Sequence, residues 1–256
     1  MSLPTVVSYS EWLIARKELL KKEKDLTRLQ DAINAERRML PMVRVNKEYV
    51  FDGPNGRASL MDLFEGRHQL IVYHFMFDPL WEKGCPGCTS AMEQFSPKVL
   101  ELLNEQHTSF ACVSRAPYLK LERYRQDKNW SFPWYSSFDS DFNYDFHVTL
   151  DASKGQIEYN YMDKAETKAE TKAETKAETK AKAETDQSNL QKSSEMQGYS
   201  CFLRDGKDIF HTYSTFARGT ENAGCPTYAF LDMTALGRQE PWEEPKGRAD
   251  IVLGAK

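Results

Sequence analysis

The chain has 256 residues, 40% of them hydrophobic and 12% aromatic, enough to bury a full core as one large domain or two small ones. Its net charge of -4 gives no electrostatic reason to expect a nucleic-acid or anionic-membrane partner. The N-terminus lacks the basic start and apolar stretch of a secretory signal, and no apolar run approaches the ~20 residues that span a bilayer, so a cytoplasmic protein is expected.

Residues 9–39 predict a long helix: Ser10 is a candidate N-cap, leucines and Ile33 recur at three- and four-residue spacings, and Pro41 ends the run. Its Lys/Glu/Arg face is expected in solvent. Its apolar stripe suits packing on its own domain, with self-association into a homo-oligomer left open. Residues 1–45 are therefore read as a helical arm. From about residue 46 the pattern becomes alternating α and β. Glu48–Phe51 and the turn at 52–56 read as strand and turn. Gln69–Phe77 is almost wholly apolar or aromatic, as a central strand buried on both faces should be. A helix is expected from about Pro86 to Asn104, a second buried strand at Ser109–Ser114, and a helix at Tyr118–Lys128. Trp130–Tyr135 reads as a loop or short strand. That order implies parallel strands joined by helical crossovers.

Residues 164–185 are a different material, K-AETK-AETK-AETK-AETK-AKAET. The four-residue period places each glutamate four residues from another glutamate, and each lysine four from another lysine, so helical neighbours repel. With no apolar stripe to dock, residues 164–197 read as a flexible insertion without chemistry. Beyond it, Gly198–Leu203 and Asp208–Tyr213 flank a glycine turn and predict an antiparallel hairpin, followed by a helix at about Thr227–Leu236. Residues 241–256 are a polar, Pro-broken tail. The core domain is thus expected over 46–163 and 198–240.

Five cysteines is an odd number, and only Cys85 and Cys88 are close in sequence, which argues against a disulfide framework. If Cys85 caps the helix, Pro86 falls at the first helical position, and the first free donors are the backbone N–H groups of Gly87 and Cys88. Aimed at the Cys85 sulfur together with the helix dipole, they would favour its thiolate and hold its pKa below the ordinary ~8.5. Cys88, one turn on, is placed to attack a mixed disulfide formed at Cys85. Gly84 and Gly87 would let a substrate backbone approach. Two other readings stand beside this redox couple. One is a zinc site, which needs ligands that the single Cys112, Cys201 and Cys225 do not obviously supply; the other is a pair of inert buried thiols. No metal or cofactor is expected.

Among neighbouring residues, His74 in the central strand reads as a core histidine or as a group tuning Cys85. Arg115, after the next strand, reads as a salt-bridge partner or as a holder of a thiolate or peroxide. Trp81 is expected to pack beside the site. His211 and Arg218 fall near the hairpin's end without an assigned role, and Cys225 is a loop thiol.

The segments SEWLIARKELLKKEKDLTR, YVFDGPNGRASLMDLFEGRHQLIVYHFMF, GCPGCTS, VSRAP, FPWYSS, DFNYDF and FHTYSTFARG…YAFLDMTALGRQE together resemble the thioredoxin-like family catalogued as domain of unknown function 899. The resemblance covers nearly the whole chain apart from the AETK tract. It implies an α/β thioredoxin-like fold, a central mixed sheet flanked by helices, related to the peroxiredoxin branch and preceded by a helical extension. It implies no established reaction. Cys85 and Cys88 match the family's Cys-x-x-Cys. Where thioredoxins place a cis-proline before the hairpin, this sequence has Met196-Gln-Gly198; where peroxiredoxins carry a hydroxyl three residues before the cysteine, it has Glu82.

These residues lead to an expected thiol–disulfide oxidoreductase acting on a protein or small-molecule thiol or disulfide, recycled by an external thiol reductant. The alternatives are a thiol peroxidase, or a non-redox member of the fold with a binding role or a place in a small-molecule pathway.

Overall fold

The computed structural model describes residues 3–154, 158–163, 194–217, 219–220, 223 and 226–239. Most of the AETK tract, Arg218, Cys225 and the C-terminal tail lie outside them. The chain divides into two compact units, residues 1–41 with 231–256, and residues 42–230.

In the first unit α1 spans Tyr9–Arg38. Its cap is Ser8 rather than Ser10. The Ser8 hydroxyl accepts from the Glu11 backbone N–H at 3.3 Å, while the Ser8 N–H donates to the Glu11 carboxylate at 3.0 Å, a reciprocal capping box. Arg37 and Arg38 in the last turn complement the helix dipole.

The second unit is built on an eight-stranded sheet. Its strands are β1 (Val43–Arg44), β2 (Val50–Gly53), β3 (Gly56–Ser59), β4 (Gln69–His74), β5 (Thr108–Ser114), β6 (Trp134–Ser136), β11 (Gly198–Asp205) and β12 (Asp208–Phe216), in the order β1-β12-β11-β4-β5-β6-β2-β3. β4, β5 and β6 run parallel, while β11 is antiparallel to both β4 and β12. A parallel βαβ unit joined through β4 and β11 to an antiparallel hairpin and a closing helix, α6 (Pro226–Leu231), is a thioredoxin-like fold. β1 pairs with β12, so Val43 and Arg44 belong to the sheet and not to the arm.

The expected helix from Pro86 to Asn104 is two, α2 (Pro86–Glu93) and α3 (Pro97–Glu105). Pro97 has no N–H to donate back into α2, so the chain restarts with Pro97 at the first turn, where its fixed φ is favourable. α4 covers Tyr118–Asp127. Elements absent from the sequence reading include β1, β3, a short helix at Asp62–Phe64, α5 (Phe142–Asp145) and two small pairings. β7 (Thr149–Leu150) pairs with β10 (Ser194–Glu195), and β8 (Glu158–Tyr159) with β9 (Met162–Asp163). Ser194 and Glu195 were expected within the flexible insertion and are instead part of a strand.

Alternation along β4 divides the core. Tyr73, with Phe75 beyond it, faces a cluster with Cys88, Met92, Phe110, Phe132 and Trp134. Leu70 and Val72 face the opposite cluster with Phe51, Leu63, Phe64, Val113, Phe142 and Phe202. The first cluster is dense in aromatic pairs, Phe75–Trp134 at 4.7 Å and Phe95–Phe110 at 4.3 Å among them, each worth about 0.5–1.5 kcal/mol beyond its buried area.

At Gly198 the hairpin closes so tightly that a Cβ would press into the Phe216 ring and lie 2.9 Å from the Thr215 carbonyl oxygen. Gly198→Ala is expected to destabilise the fold by about 1–3 kcal/mol through this overpacking. Thermal unfolding reads it as a lowered Tm; an unchanged Tm would mean the hairpin relaxes freely.

Candidate active site

The chain leaves β4 at His74 and returns as α2 at Pro86, after an eleven-residue loop. The connecting loop is pinned along its length. Phe75 N–H donates to the Val113 carbonyl at 3.0 Å, Ala116 N–H to the Phe77 carbonyl at 2.8 Å, and Cys85 N–H to the Met76 carbonyl at 3.0 Å. Gly84 serves this packing rather than substrate approach, since a Cβ there would fall 2.5 Å from the Phe75 ring. Gly87 is open: the nearest atom to its Cβ position is the Cys85 sulfur at 3.9 Å.

Cys85 is the N-cap of α2 and Pro86 its first residue, as the spacing predicts. The expected capping contact differs. The Cys85 side chain makes no cap hydrogen bond to the first turn; Cys88, one turn on, is the titratable group that it acts on. The Cys85 carbonyl anchors the helix, accepting from the Thr89 N–H and hydroxyl, both at 2.9 Å. None of the four described cysteines is in a disulfide.

The pair is asymmetric. Cys85 is half-buried, whereas Cys88 is buried. Contact with Cys85, then burial, then charge on Cys85 push the Cys88 thiol far above an ordinary thiol. The Tyr73 hydroxyl and the Met76 backbone N–H pull it the other way, toward the thiolate. Tyr73 is itself held well above its usual pKa, by burial first and by charge on Cys88 next. Tyr159 is pushed up to about 12 by burial, against a 2.9 Å hydrogen bond from the Ala217 N–H.

Gln197 stands immediately before β11, the place of the thioredoxin cis-proline. Its side-chain oxygen lies 3.5 Å from the Tyr73 hydroxyl and its backbone oxygen 3.5 Å from that of Tyr159. A polar bridge between two tyrosines thus replaces a proline clamp.

Arg115 follows β5 and is held by three groups. It pairs with Glu195 at 2.7 Å and Asp78 at 3.3 Å, and hydrogen-bonds the Tyr144 hydroxyl. One cation against two buried carboxylates leaves the cluster an excess negative charge when both are ionised. Burial accordingly raises Glu195 to about 7, outweighing the pull of Arg115 and the 2.9 Å hydrogen bond from Thr149.

The other sequence candidates fall elsewhere. His74 is buried, but alternation turns it to the face of the sheet opposite Tyr73 and Cys88, where its ring lies 5.7 Å from that of Phe142. Trp81 exposes its indole, and Lys120 holds its carbonyl at 2.9 Å. Cys112 is buried beside the Met92 sulfur at 3.7 Å. Among the described residues no cluster of three or more Cys, His, Asp or Glu is arranged to hold a metal. No helix among them is long and apolar enough to cross a membrane.

Sequence reasoning missed Tyr73, Gln197, Tyr159 and the carboxylates around Arg115. The one signal available was that Gln197 occupies a position already recognised as lacking its proline.

A family model described as "Bacterial protein of unknown function (DUF899)" matches residues 1–250. The chain belongs to the DUF899 family. No curated protein matches it. Similar solved structures include peroxidoxin BcpB from Mycobacterium tuberculosis, 12% identical, covering 73% of the DUF899 chain and 92% of its own, with a TM-score of 0.46. A peroxiredoxin Q mutant from Xanthomonas campestris is 14% identical, covers 72% and 89%, and has a TM-score of 0.43. A PrxQ mutant from Xylella fastidiosa is 10% identical, covers 75% and 95%, and has a TM-score of 0.42. The thioredoxin-like fold of the DUF899 chain stands on its own strand order, β5-β4-β11-β12 with α2 following β4.

Glu195 gives a pH test. Its folded pKa, about 7, exceeds the 4.5 of an ordinary glutamate, so between those pH values the folded state binds the extra proton and stability falls as pH rises. Glu195→Gln removes this dependence. Its stability is expected to match wild type near pH 4.5 and exceed it by about 2–3 kcal/mol near pH 8. Parallel stability–pH curves for the two proteins would refute the assignment.

Proposed function

We propose that this protein is a thiol–disulfide oxidoreductase in which Cys85 is the nucleophile and Cys88 the resolving thiol. The observation that carries the reading is the asymmetry of the pair. A half-buried sulfur stands at a helix start, and the thiol one turn on is buried and pushed far above an ordinary thiol by its contact with Cys85 and by burial.

The Cys85 thiolate attacks one sulfur of a substrate disulfide, forming a mixed disulfide and expelling the other sulfur as a thiolate, which takes up a proton. Cys88 then loses its proton and attacks the Cys85 sulfur. The remaining substrate thiolate leaves, and two electrons have passed from the dithiol to the substrate, with a Cys85–Cys88 disulfide left behind. An external thiol reductant restores the dithiol. The Tyr73 hydroxyl and Met76 N–H support this second step, because both donate to Cys88 sulfur as it becomes charged.

Alkylation by iodoacetamide, mapped by mass spectrometry between about pH 6 and 9, is expected to label Cys85 first and Cys88 at least about ten-fold more slowly. Insulin-disulfide reduction is expected to be lost in both Cys85→Ser and Cys88→Ser. Equal labelling, protection of both thiols until unfolding, or turnover of hydrogen peroxide but not of insulin would overturn the reading. Tyr73→Phe is expected to leave Cys85 alkylation unchanged. It should slow release of a mixed disulfide about ten- to a hundred-fold, the loss of one hydrogen bond to a charged sulfur.

A further inference from the structure

The face of the sheet opposite the cysteine pair carries a second polar centre. Four side chains from three strands form a hydrogen-bonded row: His74 Nε2 to Ser200 Oγ at 2.8 Å, Ser200 Oγ to Ser214 Oγ at 2.8 Å, and Ser214 Oγ to His211 Nε2 at 2.7 Å. Strand alternation alone would not bring His211 and Ser214 to one face, since they are three residues apart. A bulge does so. Cys201 pairs with Tyr213 and Phe202 with His211, so β12 gains one residue at Thr212 and the two side chains share a face. His74 Nδ1 is buried with no hydrogen-bond partner among the described residues.

The row ends at a cavity of about 330 Å3, within the range of small-molecule sites. His211 and Ser214 line it, with aromatic walls from Tyr49, Phe146, Tyr161 and Phe216. Its fixed charges cancel, Arg44 and Lys47 against Asp145 and Glu158. Arg44 is also paired with Asp208, and Lys47 is held by Asp145 at 2.6 Å and Asp141 at 3.0 Å. An anionic ligand would have to break one of these pairs. The tyrosine hydroxyls in the wall donate back to the protein, Tyr49 to Asp145 at 2.8 Å and Tyr161 to the Ser214 carbonyl at 3.0 Å. Their oxygens remain as acceptors, so the complementary ligand is a donor.

We infer that this cavity binds a small, uncharged aromatic molecule bearing a hydroxyl group, held by the aromatic walls and by hydrogen bonds to the tyrosine oxygens and the His211–Ser214 pair. The site is distinct from the cysteine pair, and its occupancy does not depend on the redox reading.

Titration calorimetry with 2-naphthol, naphthalene and 2-naphthoate tests it on the full chain. 2-Naphthol is expected to bind saturably at one site, about ten-fold more tightly than naphthalene, for the hydrogen bond the latter lacks. 2-Naphthoate is expected not to bind. Val43 lies at the rim on edge strand β1 and is exposed, so Val43→Trp fills the cavity without disturbing the core. It should weaken 2-naphthol at least about ten-fold at an unchanged Tm. His211→Phe, which keeps a ring in place, should bring 2-naphthol down to the affinity of naphthalene. Absence of saturable 2-naphthol binding, equal binding of 2-naphthoate, or affinity unaffected by both substitutions overturns the proposal.

Discussion

The central strand β4 is paired on both edges, to β5 and β11, and its C-terminal half is buried on both faces, so the side chains of Val72, Tyr73 and His74 have no route to solvent. Two consecutive polar residues on such a strand must each find partners in opposite halves of the core, because leaving one unmade costs about 1–3 kcal/mol. Tyr73 finds the Cys88 sulfur and Gln197; His74 finds Ser200 and, through it, Ser214 and His211. One dipeptide thereby seeds two polar centres back to back, and the strand pairing fixes where each lies.

On the cysteine side the surroundings resist negative charge on three groups. Contact with Cys85 and then burial push Cys88 up, and burial pushes up Tyr73 and Tyr159. Cys85, half-buried at the start of α2, is the more accessible sulfur of the pair. The thioredoxin-like fold supplies the position, a helix start at the carboxyl end of a central strand, where α/β proteins place their chemistry. Gln197 marks the departure: a residue that bridges two tyrosines, by its side chain to Tyr73 and its backbone oxygen to Tyr159, occupies the place of the thioredoxin proline.

Much of this architecture was legible in the sequence. The apolar run from Gln69 announced a doubly buried strand, and Pro86 after Cys85 announced a helix start, because both signals are local. The split of the following helix was also written locally, in Ser96-Pro97, but apolar spacing across the break masked it. The capping box Ser8-x-x-Glu11 likewise outranked Ser10. What could not be read was face. A strand apolar on both sides carries no alternation to say whether Tyr73 or His74 meets α2, and His74 drew attention for its chemistry while Tyr73 took the position. Glu195 lies directly after a low-complexity tract and has no pattern of its own, so its pairing with Arg115 is visible only in three dimensions. The bulge at Thr212 has no sequence mark either, yet it decides that His211 and Ser214 meet.

The central claim is the division of labour between two thiols, and trapping a mixed disulfide tests it most directly. The single-cysteine-site variants Cys88→Ser and Cys85→Ser are incubated with an aromatic disulfide that releases a coloured thiol, and the adduct is located by mass mapping. The account predicts a stable adduct on Cys85 in Cys88→Ser, with one equivalent of thiol released, and no adduct on Cys88 in Cys85→Ser while the protein is folded. An adduct forming on Cys88 at a comparable rate would contradict it.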